Sequence, residues 1–189
     1  MNHYTVIGFA TKKIDEAAKK LRVEFGEDMS EVVDQPDHVI LKNSPQFAVK
    51  RTFYLNDGVT EQELFKALEG FTFKPFTLSA NHLGRFPKTE YGNIVFAEID
   101  VTPELRAVHE DLVNRVAPLS RNKFPQYERE GYRAHISLCY ELPDDKVDSF
   151  ERAAKKLLPF NFEVTKLSLF RKYNIEKDEV ELLREFSAS

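Results

Sequence analysis

The chain says the same thing twice. Read for hydrophobic period and turn residues, its 189 residues give a strand, a helix, a histidine-bearing strand, a helix and a long strand, and then repeat that order. In the first half, Tyr4–Ala10 is a strand. Thr11 caps a helix over Lys12–Phe25 with Ile14, Ala17, Ala18, Leu21 and Phe25 as its apolar stripe, and Gly26 stops it. His38–Lys42 and Phe47–Leu55 follow as strands. Thr60 opens a helix to about Leu68, with Glu63 completing a capping box, and Phe73–Phe86 is the long strand. In the second half, Asn93–Asp100 is a strand, and Thr102 and Pro103 open a helix whose stripe is Leu105, Val108, Leu112 and Val116, with His109 among them. Ser120 to Gly131 reads as a loop. Arg133–Tyr140 is the second histidine strand, Asp144 and Asp145 start a helix, and Phe160–Tyr173 and Asp178–Phe186 are the last strands. This order implies an α+β fold: bilobal, pseudo-twofold, with antiparallel sheets flanked by helices and a central cleft between the two histidine strands. Residues 1–189 form a single domain, with lobes of roughly 1–90 and 91–189 and room for strand exchange between them.

The sharpest chemistry lies in Arg133-Ala134-His135-Ile136-Ser137-Leu138. Strand side chains alternate, so Arg133, His135 and Ser137 share one face, while Ala134, Ile136 and Leu138 take the other. A guanidinium, an imidazole and a hydroxyl in one row suit a phosphate. The imidazole exchanges protons near neutral pH, and the other two groups hydrogen-bond anionic oxygens. The first half offers His38-Val39-Ile40-Leu41-Lys42, with His38, Ile40 and Lys42 on one face.

Composition narrows the class. The formal net charge of −4 argues against a broad nucleic-acid surface, though a small basic cleft for a nucleotide or strand end remains compatible. Sixteen phenylalanines and no tryptophan point to an aromatic core or pocket. A lone cysteine, Cys139, excludes an internal disulfide and fits a reducing compartment, and no Cys/His cluster has zinc spacing. Met1-Asn2-His3-Tyr4 lacks the character of a signal peptide, and no apolar run approaches a membrane span. The expectation is a cytoplasmic protein with no membrane association, no cofactor or metal, and no obligate protein partner.

On these residues the chain resembles the two-histidine (2H) phosphoesterase superfamily, in its 2′-5′ RNA ligase-like and cyclic phosphodiesterase branch. The likeness rests on His38-Val39-Ile40-Leu41, on His135-Ile136-Ser137-Leu138, and on the segment between them from Ile94 to Leu112. The resemblance implies a metal-independent phosphodiesterase that opens 2′,3′-cyclic phosphates of nucleotides or RNA ends, or acts on 2′-5′ linkages. One imidazole takes a proton from water and the other gives one to the leaving ribose oxygen, with His135 as base and His38 as acid or the reverse. Ser137 would hold a non-bridging oxygen. Lys42, Arg133 and Tyr132 are the candidate phosphate- and substrate-binding residues, with Phe124 and Tyr127 as candidate stacking rings and Arg85 and Arg171 as further cleft candidates. His82, His109 and Cys139 read as structural.

The chain departs from the family pattern at Ile40, where a Thr or Ser is usual. Losing a hydrogen bond to a charged group costs about 1.5–3 kcal/mol, which implies a rate lower by about 10- to 100-fold. Lys42 is placed to supply charge instead. The other class of function is a catalytically impaired module that binds a nucleotide or RNA end in the same cleft.

Overall fold

The computed structural model describes residues 2–26, 45–89, 92–172 and 180–189, and the backbone of 38–40, 173–174 and 179. Its helices start and stop where local chemistry directs. α1 (Lys12–Glu24) follows Thr11, buries Ile14, Ala18 and Leu21, and is closed by Gly26 at φ 90°. α2 (Glu61–Ala67) carries the full capping box between Thr60 and Glu63. α3 (Pro103–Val116) is capped by the Thr102 hydroxyl and buries Leu105, Val108, His109, Leu112, Val113 and Val116. α4 (Val147–Ala154) follows a 3-10 turn at Asp144–Lys146 and buries Val147, Phe150 and Ala154.

Among the described residues there are ten strands: β1 (His3–Phe9), β2 (His38–Ile40), β3 (Gln46–Leu55), β4 (Phe76–Thr89), β5 (Gly92–Ile99), β6 (Ser120–Asn122), β7 (Ala134–Leu142), β8 (Phe160–Val164), β9 (Lys166–Asn174) and β10 (Glu179–Ser187). They form two antiparallel sheets, β2-β10-β9-β1-β3-β6 and β7-β5-β4-β8. The expected α+β architecture with helices flanking antiparallel sheets is the one observed. β4 leaves the first half to pair with β5, and β9 and β10 leave the second half to extend the sheet of β1. α3 packs on β3 and α1 on β7, so the halves interlock. Among the described residues the main core joins both sheets and α1 to α4, with Phe47, Phe53, Phe76, Phe150 and Phe162 buried in it, and Ile7, Phe170 and Val180 form a smaller second cluster. Among the described residues, no helix is long and apolar enough to cross a membrane.

Two expectations change. The single strand expected over Phe160–Tyr173 is two strands in different sheets, β8 beside β4 and β9 beside β1. Phe162 and Val164 are buried at even positions, Leu167 and Leu169 at odd ones, and Thr165 and Lys166 between them are exposed. One continuous pleat cannot serve both sets, so the chain breaks there. The stretch Ser120–Gly131, read as loop, adds the short strand β6 and two 3-10 turns.

The element order also identifies which strands are counterparts. β7 pairs with β5, the opening strand of the second half, and the first-half strand that pairs with β1 is β3. β3 and β7 approach each other between the sheets. β2, which bears His38, lies on the outer edge beyond β10, with two strands between it and β1.

Candidate active site

Between β3 and β7 lies a cleft of about 220 Å³. β1 contributes His3, Thr5 and Ile7, alternate positions on one face, along with Tyr4. β3 contributes Gln46, Ala48, Arg51 and Thr52. β7 and the residue before it contribute Arg133, His135, Ser137 and Tyr140. Lys172 of β9 and Phe124 complete the lining. Among these described residues none is acidic, while His3, Arg51, Arg133, His135 and Lys172 are basic. A concave surface with that balance attracts anions.

The alternation of β7 that the sequence suggested is present. Ala134, Ile136 and Leu138 are buried, and His135 and Ser137 are half-buried towards the cleft. The His135 ring lies against Phe96 at 4.9 Å and Phe86 at 5.3 Å between centroids. Its Nδ1 is 3.4 Å from Nη2 of Arg51. A guanidinium has only donors, so as a hydrogen bond this contact takes a bare Nδ1 and a neutral ring. Burial first, and then the Arg51 charge, push the His135 pKa down to about 4.

Arg51 is itself largely enclosed. Its guanidinium lies 4.8 Å from the centroid of the Tyr127 ring and also reaches the Arg133 carbonyl at 3.5 Å. Its buried Nε has no hydrogen-bond partner among the described residues. Burial lowers its pKa, and a half-buried guanidinium at the cleft wall is suited to hold an oxyanion. His3 is also buried, in edge contact with Tyr54 at 4.6 Å. Burial, then Lys123 and Lys172, lower its pKa.

The structure brings Arg133, His135 and Ser137 together in this cleft. The side chain of His38 and all of Lys42 lie outside the described residues. Tyr132, expected at the substrate, is 3% exposed. Its ring stacks on His109 at 3.9 Å and its hydroxyl donates to the Ala48 carbonyl, so it packs beneath the cleft and is absent from the lining. Phe124 lines the cleft and Tyr127 covers Arg51. Arg85 pairs with Glu151, and Arg171 with Glu61 and Glu181; neither is among the lining residues. Cys139 is buried.

Motif reading missed Arg51, His3 and Lys172. The alternation His3-x-Thr5-x-Ile7 could have flagged His3. Nothing local marks Arg51. Regular alternation from Gln46 and Ala48 would put Lys50 on the cleft face, yet Lys50 is 1% exposed and points away.

The profile of the 2′-5′ RNA ligase superfamily matches residues 47–176. The match begins at the start of β3 and leaves β2 out. Comparison with curated protein sequences gives no match. Among solved structures, Escherichia coli LigT complexed with 3′-AMP superposes with a TM-score of 0.60 at 13% identity, over 100% of this chain and 98% of that one. LigT complexed with phosphate gives 0.61 at 12%, with the same coverage. TT0787 of Thermus thermophilus gives 0.61 at 14%, covering 98% of this chain and 97% of that one. These similarities are similarities of fold.

Proposed function

The chain belongs to the 2′-5′ RNA ligase superfamily of two-histidine phosphoesterases, and from that premise we propose that it opens 2′,3′-cyclic phosphates at a ribonucleotide or RNA end. The observation that carries this reading is the contact between a neutral His135 and the enclosed Arg51, in a cleft with cationic neighbours and no carboxylate among its described lining residues. LigT in complex with 3′-AMP and with phosphate is consistent with such a ligand. Drug-sized ligands need pockets of about 300 Å³ or more. The smaller cleft here suits a phosphate and its ribose, with the base left at the rim beside Phe124 and Tyr127.

In the proposed reaction the phosphate draws the Arg51 guanidinium onto its oxygens, joined by Arg133 and the Ser137 hydroxyl. Nδ1 of His135, thereby uncovered, accepts a proton from the attacking water as the P–O bond to the ribose breaks. The departing ribose oxygen needs a proton. The sequence reading offered His38 for this role, or His135 with the two roles reversed. β2 stands at the sheet edge, whereas His3 lines the cleft, so we assign the role to His3. The entering anion favours the imidazolium form that an acid requires. The single buried cysteine fits work in the cytoplasm.

A second reading has one observation in its favour. The cleft face of β3, the counterpart of β7, carries Gln46, Ala48 and Arg51 and no imidazole. A module that holds a phosphorylated end without cutting it would look like this. The test is turnover of 2′,3′-cyclic nucleotides and of a short RNA with a 2′,3′-cyclic end, in chelator. His135→Ala should cost about 10²- to 10⁴-fold, the usual value of a proton-transfer group. Ile40→Thr should leave the rate unchanged, and a rise would return the first motif strand to the reaction. Binding of cyclic nucleotide without turnover would replace the enzyme with the module.

A further inference from the structure

Strand β3 is irregular at the point from which Arg51 projects. Its register against β1 runs Phe53 opposite Tyr4, Lys50 opposite Val6 and Ala48 opposite Ile7. Thr5 alone therefore spans Arg51 and Thr52, and Val49 is a second extra residue. Such bulges re-aim side chains and leave ladder groups without their usual partners. Here Ala48 and Arg51 both line the cleft, although they are three residues apart, and Lys50 turns inward.

Groups outside the ladder take up the carbonyls of this stretch. The Tyr132 hydroxyl donates to Ala48 O at 3.0 Å, His109 Nδ1 to Val49 O at 2.6 Å, the Thr5 hydroxyl to Lys50 O at 3.0 Å, and the Lys123 amide to Thr52 O at 3.0 Å. Buried Lys50 donates to Glu128 at 3.0 Å and to Asn122 at 2.6 Å. His109 is held in turn. Tyr132 stacks on it with 12° between the planes, and its Nε2 accepts the Arg129 amide at 3.0 Å. Both ring nitrogens of His109 are thus committed, in one neutral tautomer. Apart from Thr5 and His109, these partners lie between Asn122 and Tyr132, the segment that runs directly into Arg133 and His135.

We propose that His109, Glu128 and Tyr132 are positioning residues that hold the bulged 48–52 stretch of β3 against the segment entering β7, so that Arg51 meets His135. None of the three lines the cleft. The proposal goes beyond the phosphodiesterase reading, because it applies equally to a site that only binds.

Their role is separated from simple stability by a property of His135. In the Tyr132→Phe variant, which keeps the ring stack and loses one hydrogen bond, an NMR titration should show the His135 pKa rising by about half a unit or more as the Arg51 charge moves away. In an Arg51→Gln background the same substitution should add nothing, since no charge remains to be displaced. Glu128→Gln should behave in the same way. Should it fail to fold with Lys50 left unpaired, Tyr132→Phe decides the matter. An unmoved His135 pKa in folded Tyr132→Phe, with only the melting temperature lowered, overturns the proposal. An equal rise in the Arg51→Gln background also overturns it.

Discussion

Replacing Arg51 with Gln should raise the pKa of His135 by about one unit. The depression from 6.5 to about 4 in the native protein corresponds to roughly 3 kcal/mol in favour of the neutral ring. Burial is the larger cause and the Arg51 charge the second, with the Arg133 carbonyl opposing both. Arg51 is therefore the smaller of the two lowering causes, taken here as about 1.4 kcal/mol or one pH unit. Coulomb's law offers a check. Unit charges about 4 Å apart interact by about 4 kcal/mol at an effective dielectric of 20 and about 1 kcal/mol in water. A value between these limits fits an imidazole and a guanidinium that are each half-buried. The assay is a pH titration of the histidine Cε1–H resonances, with His135 assigned from a His135→Gln spectrum. Arg51→Lys retains the charge without the planar fork and should keep most of the depression. A His135 that titrates within a few tenths of its native value in Arg51→Gln would refute the reasoning, because burial alone would then account for it.

Stability should fall in acid for the same reason. The folded-state pKa of His135 lies below its unfolded value, so its contribution is fully present above pH 6.5 and is lost as pH falls from 6.5 towards 4. Denaturant titrations at pH 7.5 and 4.5 should differ in that direction, with the lowered pKa values of His109 and His3 adding to it. Glu128→Ala leaves the buried Lys50 charge without its carboxylate and should cost about 3–5 kcal/mol in chemical denaturation, whereas Lys50→Met with Glu128→Leu should recover most of it. If His3 protonates the leaving oxygen, His3→Ala should lose turnover of cyclic phosphates but retain turnover of a nitrophenyl phosphodiester, whose leaving group needs no proton. Equal loss on both substrates would remove His3 from that role.

Much of the frame was legible in the chain. Thr60 with Glu63 and Thr102 with Pro103 announce helix starts through hydrogen bonds that span only a few residues, and the structure has both. The alternation around His135 and Ser137 needs only a pleat. The duplicated element order led to the superfamily that the profile match shows. Other features had no local signal. The break at Thr165 depends on which sheet receives each piece. Tyr132 sits two residues before β7 and reads as a ring beside the substrate, but stacking on His109 from another element takes it under the cleft.

The sequence by itself determined the helices, the strand faces and the row that carries His135, because these follow from side-chain periods and caps within a few residues. Tertiary structure decided what His135 faces. Arg51 reaches it through bulges in β3 that are held by α3 and by the turn before β7, groups 60 to 84 residues further along the chain. Capping bonds and pleats are short-range and can be read in order. A guanidinium brought beside an imidazole by a misaligned ladder depends on distant partners, and only the folded chain brings those together.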